Sequence, residues 1–164
     1  MIKIYDANVA DADNIAKLFV DNVDENYITA SEEIWSRATI EKGWNENLYE
    51  NVRCEIIESL KNGDKIILVM LHNEKLIGYT LTAIKPNNCA ELEDFVMDKE
   101  YRKKGLGKKL YEKTIESCQK NNINTLFLEV GINNKKMHKF CQSNDLKITS
   151  VRYYKKLTNE SKNE

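Results

Sequence analysis

Residues 92–110 read LEDFVMDKEYRKKGLGKKL, and three signals sit within them: a β-rich run from Leu92 to Met97, a basic turn Arg102-Lys103-Lys104-Gly105-Leu106-Gly107, and the start of a helix. Leu106, Leu110, Tyr111, Ile115 and Cys118 recur at helical spacing, so the turn joins a strand to an amphipathic helix. Glycines at such a junction let the backbone turn tightly and approach a ligand, and the first N–H groups of the helix have no internal partner. The helix dipole adds about 0.3–1 kcal/mol for an anion, and Arg102, Lys103, Lys104 and Lys108 add matching charge. A pyrophosphate suits this place. The turn is neither GxxxxGK[ST] nor GxGxxG. Taken alone, an RxxGxG hexapeptide is equally what a basic helix entry in a Lys-rich chain looks like. The strand before it carries Glu91, Glu93 and Asp94, which a strict period of two places on both faces, unlike the charges of a simple edge strand.

Working outward, Ile2 to Tyr5 alternate as a short strand, and Ala12 to Val20 place Ile15, Leu18 and Phe19 on one helical face. Thr29 with Glu32 three residues on reads as a capping box opening a second helical region, continued by Leu48, Val52, Ile56 and Leu60 and stopped at Lys61-Asn62-Gly63-Asp64. Ile66 to Leu71 and Leu76 to Leu81 form a hairpin around Asn73-Glu74-Lys75, and Pro86-Asn87-Asn88 separates them from the strand Cys89 to Met97. Beyond the basic helix come a strand at Thr125 to Val130, a helix at Asn134 to Ser143, and a final pair of strands between Leu146 and Leu157. The order βαα-βββ-α-β-α-ββ predicts an α/β fold, a mixed sheet covered by helices.

The chain has 164 residues and 41% hydrophobic content, enough for one core. A single domain over residues 1–157 is expected, with TNESKNE (158–164) as a flexible, solvated tail. Twenty-five Lys and Arg against 26 Asp and Glu leave a net charge of -1, which argues against nucleic acid as a partner. No segment approaches the ~20 apolar residues of a membrane span, and no basic-then-apolar leader is seen at the start. Cysteines 54, 89, 118 and 141 show no metal-ligand spacing, and only His72 and His138 could assist them, so no metal is expected and reduced thiols in a cytoplasm fit best.

The stretch 92–110 resembles the acetyl-CoA-binding core of the GNAT superfamily, and within it the spermidine/spermine-type diamine acetyltransferases, whose core also has a Leu-Glu-Asp-Phe strand before the turn. The likeness continues through Asn134 and Met137 to Phe140-Cys141-Gln142-Ser143-Asn144-Asp145-Leu146, where the family has an Asn-to-Tyr helix and a Gly-Phe ending. The first 60 residues agree in layout alone. The resemblance implies a GNAT-type, mixed, mostly antiparallel central sheet flanked by helices. It implies a cytoplasmic N-acetyltransferase that uses acetyl-CoA as co-substrate, a small cationic amine as acceptor, and a homodimer. Residue by residue, it implies that Arg102, Lys103, Lys104, Gly105, Leu106, Gly107 and Lys108 wrap the pyrophosphate. Phe95, Val96 and Met97 would pair their backbone with the pantetheine arm, and Asn134 and Met137 would hold its other side. Glu93 would be the base. Lys103 stands where the family usually has glycine, Cys141 where it commonly has a tyrosine that protonates the departing sulfur, and Asp145-Leu146 where it has Gly-Phe.

A thiol of pKa ~8.5 can still donate a proton to a thiolate of similar basicity, and His138 and Tyr111 are alternative donors. A primary amine of pKa ~10.4 costs roughly 4–5 kcal/mol to neutralise at pH 7, so a base or an ordered water chain must help. The acidic stretch Asp21 to Tyr27 with Glu32-Glu33 either draws a cationic amine to the acceptor pocket or is a solvated loop and helix start. Trp35 and Trp44 either line the substrate cleft or pack in a core or dimer contact. Three other functions remain open at this level. They are an acyl-CoA-binding sensor with little catalysis, a phosphate- or nucleotide-binding interaction protein, and an acetyltransferase of protein amino termini or lysines.

Overall fold

The alternation at Ile2 to Tyr5 sends Ile2 and Ile4 to one sheet face and Tyr5 to the other; in the computed structural model, which describes residues 1–157, it forms β1 (Ile2–Asp6). The tail expected at 158–164 lies outside the described residues. Helix α1 (Ala12–Asn22) buries Ile15, Leu18 and Phe19 as its periodicity predicts. The second helical region is divided into α2 (Ala30–Ile34) and α3 (Leu48–Asn62) by a small hairpin of β2 (Ala38–Thr39) and β3 (Gly43–Trp44). Gly63, at φ +68°, ends α3 in the left-handed conformation that glycine takes at little cost. Strands β4 (Lys65–His72) and β5 (Lys75–Lys85) are joined by Asn73 and Glu74, both at positive φ as a tight hairpin requires. Then follow β6 (Cys89–Met97), α4 (Leu106–Lys120), β7 (Thr125–Leu128) and α5 (Lys135–Ser143).

The sheet runs β1-β4-β5-β6-β7, antiparallel except for the last pair, where β6 and β7 are parallel across the α4 crossover. Helices α1 and α3 cover one face through Phe19, Val52 and Ile56 against Val69, Tyr79 and Val96. The other face packs Met70, Ile77 and Met97 under Leu110 of α4. Within α4, Leu106 and Ile115 are only half-buried, and Thr114 takes an interior place by bonding Thr80 Oγ1 (2.9 Å) and the Leu110 carbonyl (3.0 Å).

Four expectations are corrected. The Thr29–Glu32 capping box does not form: Thr29 makes no side-chain cap bond, the Ser31 N–H donates instead to Glu129 Oε2 at 3.2 Å, and Glu32 is turned inward, 2% exposed. The strand expected at Thr125 to Val130 stops at Leu128, where it leaves β6. No strand forms between Leu146 and Leu157, because the chain after α5 runs apart from the sheet and passes Glu41, which accepts from Tyr154 Oη (3.0 Å) and Lys156 Nζ (2.9 Å). The β-prone pattern of Ile148, Val151 and Tyr153 stays exposed, as a preference for a pleated, half-buried surface does when no strand is alongside.

The fourth concerns β6. Leu81 pairs with Asp94 and Thr82 with Leu92, so Glu93 is the extra residue of a β-bulge and the alternation changes phase there. Ala90 faces Cys118 of α4, yet Val96 faces α1 and α3. Glu93 and Asp94 therefore turn to one face of the sheet, the α3 side. Among the described residues, no helix is long and apolar enough to cross a membrane, and no group of three or more His, Cys, Asp or Glu could hold a metal.

Candidate active site

Parallel pairing of β6 with β7 covers only residues 89–92 and 125–128. Past that point the strands separate, and the space between them is a cleft of about 580 Å³ bordered by Glu93, Phe95, Val96 and Met97 on one side and Val130 and Gly131 on the other. The loop 24–28 closes over it closely, since a side chain on Gly131 would strike the carbonyls of Asn26 and Ile28.

One end of the cleft is built to take an anion. Lys103 and Gly105 both have positive φ (+61° and +74°), which turns the chain sharply from the strand into α4. Gly105 is the N-cap and brings no side-chain acceptor, the first turn holds no acid, and Lys109 is the first amide to reach a helix carbonyl, Gly105 O at 3.1 Å. The amides of Leu106, Gly107 and Lys108 thus have no acceptor among the described residues, at the positive end of a 15-residue helix. Lys103 and Lys108 border the cleft on this side, Lys135 and Lys136 of α5 on the other. A diphosphate fits these donors.

Of the residues picked from sequence, Glu93, Phe95, Val96, Met97, Arg102, Lys103, Gly105, Gly107, Lys108, Asn134 and Met137 gather around this one cleft. Arg102 is held in its wall: Nε donates to Met97 O (3.0 Å) and Nη2 to Asn22 O (2.7 Å), which ties the loop to the end of α1. Asn134 caps α5, its Oδ1 accepting the Met137 N–H at 3.1 Å. Three do not line the cleft. Lys104 lies over the Tyr101 ring, 5.3 Å from its centroid, half-buried Leu106 packs against the cluster of Met70, Ile77 and Leu110, and Cys141 sits half-buried on α5. Phe140 meets Phe95 and Tyr111 edge-on at 5.3 and 5.4 Å, and this aromatic trio seats α5. Burial pushes the Cys141 thiol and the Tyr111 phenol upward. His138 Nε2 lies 3.1 Å from Gly131 O, which makes that nitrogen the protonated one.

The other end of the cleft, with the buried cluster that adjoins it through Glu32, brings together residues the sequence reading missed or misplaced. Arg37 is fully buried, its Nη1 2.9 Å from Asp94 Oδ1, with Glu55 on its other side. Asp94 also accepts from Tyr79 Oη at 2.8 Å, so it is a structural anchor. Glu93 Oε2 accepts from Lys65 Nζ at 2.7 Å and its Oε1 lies 3.4 Å from Lys85 Nζ. Tyr27 and Trp35 line the cleft, whereas Trp44 packs on Phe19 and Tyr27. The Phe95 N–H, on the edge that β7 has left, donates to Tyr27 Oη at 3.3 Å. Burial raises the Tyr27 phenol well above its usual range, with Asp94 and Glu32 adding to it. Glu32 lines the same space; burial first, then Asp94, Glu55 and Glu129 against the opposing Arg37, raise its pKa from 4.5 to about 8. No short-range pattern joins Arg37 to Asp94, 57 residues away, or to Glu55, so sequence spacing could not have revealed this cluster.

The acetyltransferase (GNAT) family profile matches residues 25–144, and the chain belongs to that family. As a member it is an acetyl-CoA-dependent N-acetyltransferase. No curated protein matches the chain by sequence. Among solved structures, the PaiA N-acetyltransferase of Thermoplasma acidophilum in complex with coenzyme A is similar over 93% of each chain, at 24% identity and a TM-score of 0.73. An aminoglycoside acetyltransferase, meta-AAC0020, from an uncultured soil metagenomic sample and in complex with sisomicin, covers 96% of this chain and 97% of its own at 15% identity and a TM-score of 0.67. The ribosomal-protein-alanine N-acetyltransferase of Brucella melitensis biovar Abortus 2308 covers 96% and 100% at 12% identity and a TM-score of 0.66. These likenesses concern the fold.

Proposed function

We propose that the protein acetylates the primary amine of a small cationic acceptor in a reducing cytoplasm. The observation that carries this reading is the polarity of one continuous cleft, with lysines and free helix amides at the α4 end and Glu32, Glu91, Glu93 and Glu129 at the other. Acetyl-CoA supplies an acetyl group activated as a thioester. The chain supplies the rest: α4 amides, Lys103 and Lys108 hold the diphosphate, the open edge of β6 from Phe95 to Met97 orients the arm, and Asn134 and Met137 face it from α5. The Phe95 N–H, now on Tyr27, is the donor placed to polarise a carbonyl beside that edge. Glu93 is engaged by Lys65 at 2.7 Å and lies 3.4 Å from Lys85, so it reaches an acceptor only when one of these contacts opens. Cys141 does not line the cleft, so it carries no assigned step.

A small amine is favoured over a peptide because loop 24–28 and α2 close the acceptor end, with Ser31 Oγ donating to Glu129 across it. Release of free thiol from acetyl-CoA, measured against diamines, aminoglycosides and short peptides, tests the reading. Turnover with small polycations and not with peptides is expected, and turnover with peptides alone would overturn the choice of acceptor. The same assay on Glu93→Gln decides whether that carboxylate carries the proton. A homodimer belongs to the proposal too, supported by the exposed Ile148, Val151 and Tyr153, and sedimentation equilibrium tests it.

A further inference from the structure

Among the described residues, Glu32 is the buried carboxylate of the cleft that the arrangement leaves incomplete. The residue is 2% exposed, yet its Oε2 has no hydrogen-bond partner among the described residues. The nearest cation, Arg37 Nη1, is 3.6 Å away and is already bonded to Asp94 at 2.9 Å. A buried acceptor without a donor is destabilising in a finished fold, and such groups concentrate where a ligand supplies the missing partner.

The charge balance around it points the same way. Arg37, Lys65 and Lys85 are the three cations of the connected cluster, and they face five carboxylates, Glu32, Glu55, Glu91, Glu93 and Asp94. Lys65 and Lys85 serve Glu55, Glu91 and Glu93, and Arg37 serves Asp94 and Glu55. Glu129 is occupied by Ser31 and by Arg152 at 3.6 Å. The carboxylates outnumber the cations by two, and Glu32, whose nearest cation is 3.6 Å away, is the buried one whose Oε2 has no donor among the described residues. The wall around it holds the aromatic rings of Tyr27 and Trp35, which suit an ammonium on an alkyl chain.

We infer that Glu32 is the counter-ion of the acceptor's ammonium and the group that takes its proton. The inference rests on the acetyl-transfer reading above and assigns the proton acceptor within it. An entering cation completes the unpartnered Oε2 and turns a buried neutral acid into an ion-paired carboxylate, with release of the acid's proton to solvent. At transfer, one N–H bond of the ammonium breaks, its electron pair stays on nitrogen, and the proton forms an O–H bond on Glu32. The groups facing Glu32 are Arg37, which favours its charged form, and Glu55 of α3, Asp94 of β6 and Glu129 beyond β7, which disfavour it, with Tyr27 nearby. Its pKa of about 8 brings it far closer to an amine than an ordinary carboxylate stands.

The test is calorimetric titration of the CoA-saturated protein at pH 7 with 1,4-diaminobutane, kanamycin and an Ala-Lys peptide, in two buffers of different ionisation enthalpy. The wild type is expected to release close to one proton with the amine it binds. Glu32→Gln should release none and bind at least tenfold more weakly, while Glu32→Asp restores the proton release. Unchanged affinity and proton count in Glu32→Gln would overturn the inference, as would failure of every probe to bind the wild type. If binding and proton release depend on Glu32 but thiol release is absent, the counter-ion role stands, while the acetyl-transfer reading and the proton acceptor assigned within it fall.

Discussion

Replacement of Glu32 by glutamine changes how stability depends on pH, and the size follows from its surroundings. In the fold its pKa stands at about 8, against 4.5 in the unfolded chain, because burial and the neighbouring Asp94, Glu55 and Glu129 penalise the charged form more than Arg37 favours it. A raised pKa means the native state holds the proton more tightly, so the stability linked to it is complete below pH 4.5 and is lost as pH rises through 8. Over that interval, at about 1.36 kcal/mol per pH unit, the loss approaches 5 kcal/mol, of which about 4 kcal/mol falls between pH 5 and pH 9. Glutamine cannot ionise and avoids the loss, while every other group titrates in both proteins and cancels in the difference. Urea unfolding at pH 5, 7 and 9, followed by circular dichroism, should show Glu32→Gln gaining on the wild type by about 4 kcal/mol across the series. Parallel stability curves, with a difference constant within about 1 kcal/mol, would refute the claim that this carboxyl is buried with too little positive charge.

Arg37→Met removes the cation between Asp94 and Glu55 and should destabilise the fold by about 3–5 kcal/mol, read as a lower urea midpoint, because the buried carboxylates lose their counter-ion. Gly131→Ala forces a methyl group against the carbonyls of Asn26 and Ile28. It should cost about 1–3 kcal/mol and speed amide exchange in residues 24–28 while exchange in α4 is unchanged.

The elements that carry strong local periodicity were legible before any coordinates: α1 and α4 by their apolar stripes, the β4–β5 hairpin by its flanking runs, and the anion turn by Gly105 and Gly107 beside lysines. The cleft around that turn was legible only through resemblance to a family. What local patterns missed depends on partners distant in the chain. A strict period of two put Glu93 and Asp94 on opposite faces, and the bulge that brings them together shows only in the register with β5. Ser31 finds its cap in Glu129, 98 residues on, so the apparent capping box at Thr29 released Glu32 to the interior. The run from Leu146 to Leu157 has strand propensity but no neighbouring strand, and propensity without a partner does not make one. Cys141 occupies the family's tyrosine position in sequence, yet it is Phe140 that turns to the cleft.

The account depends most on the amides at the head of α4 holding the diphosphate of coenzyme A. Gly107 tests this cleanly, because a Cβ there would stand 3.7 Å from Phe95 Cζ and 3.8 Å from Met97 Cγ, ordinary contacts that the protein tolerates, while the added bulk takes up room in the cleft. Calorimetric titration of coenzyme A into wild type and Gly107→Val is expected to show affinity at least 30-fold weaker in the variant, about 2 kcal/mol, with unfolding free energies equal within about 1 kcal/mol. Equal affinity for coenzyme A in the two proteins would contradict the placement of the diphosphate and, with it, the assignment of the cleft.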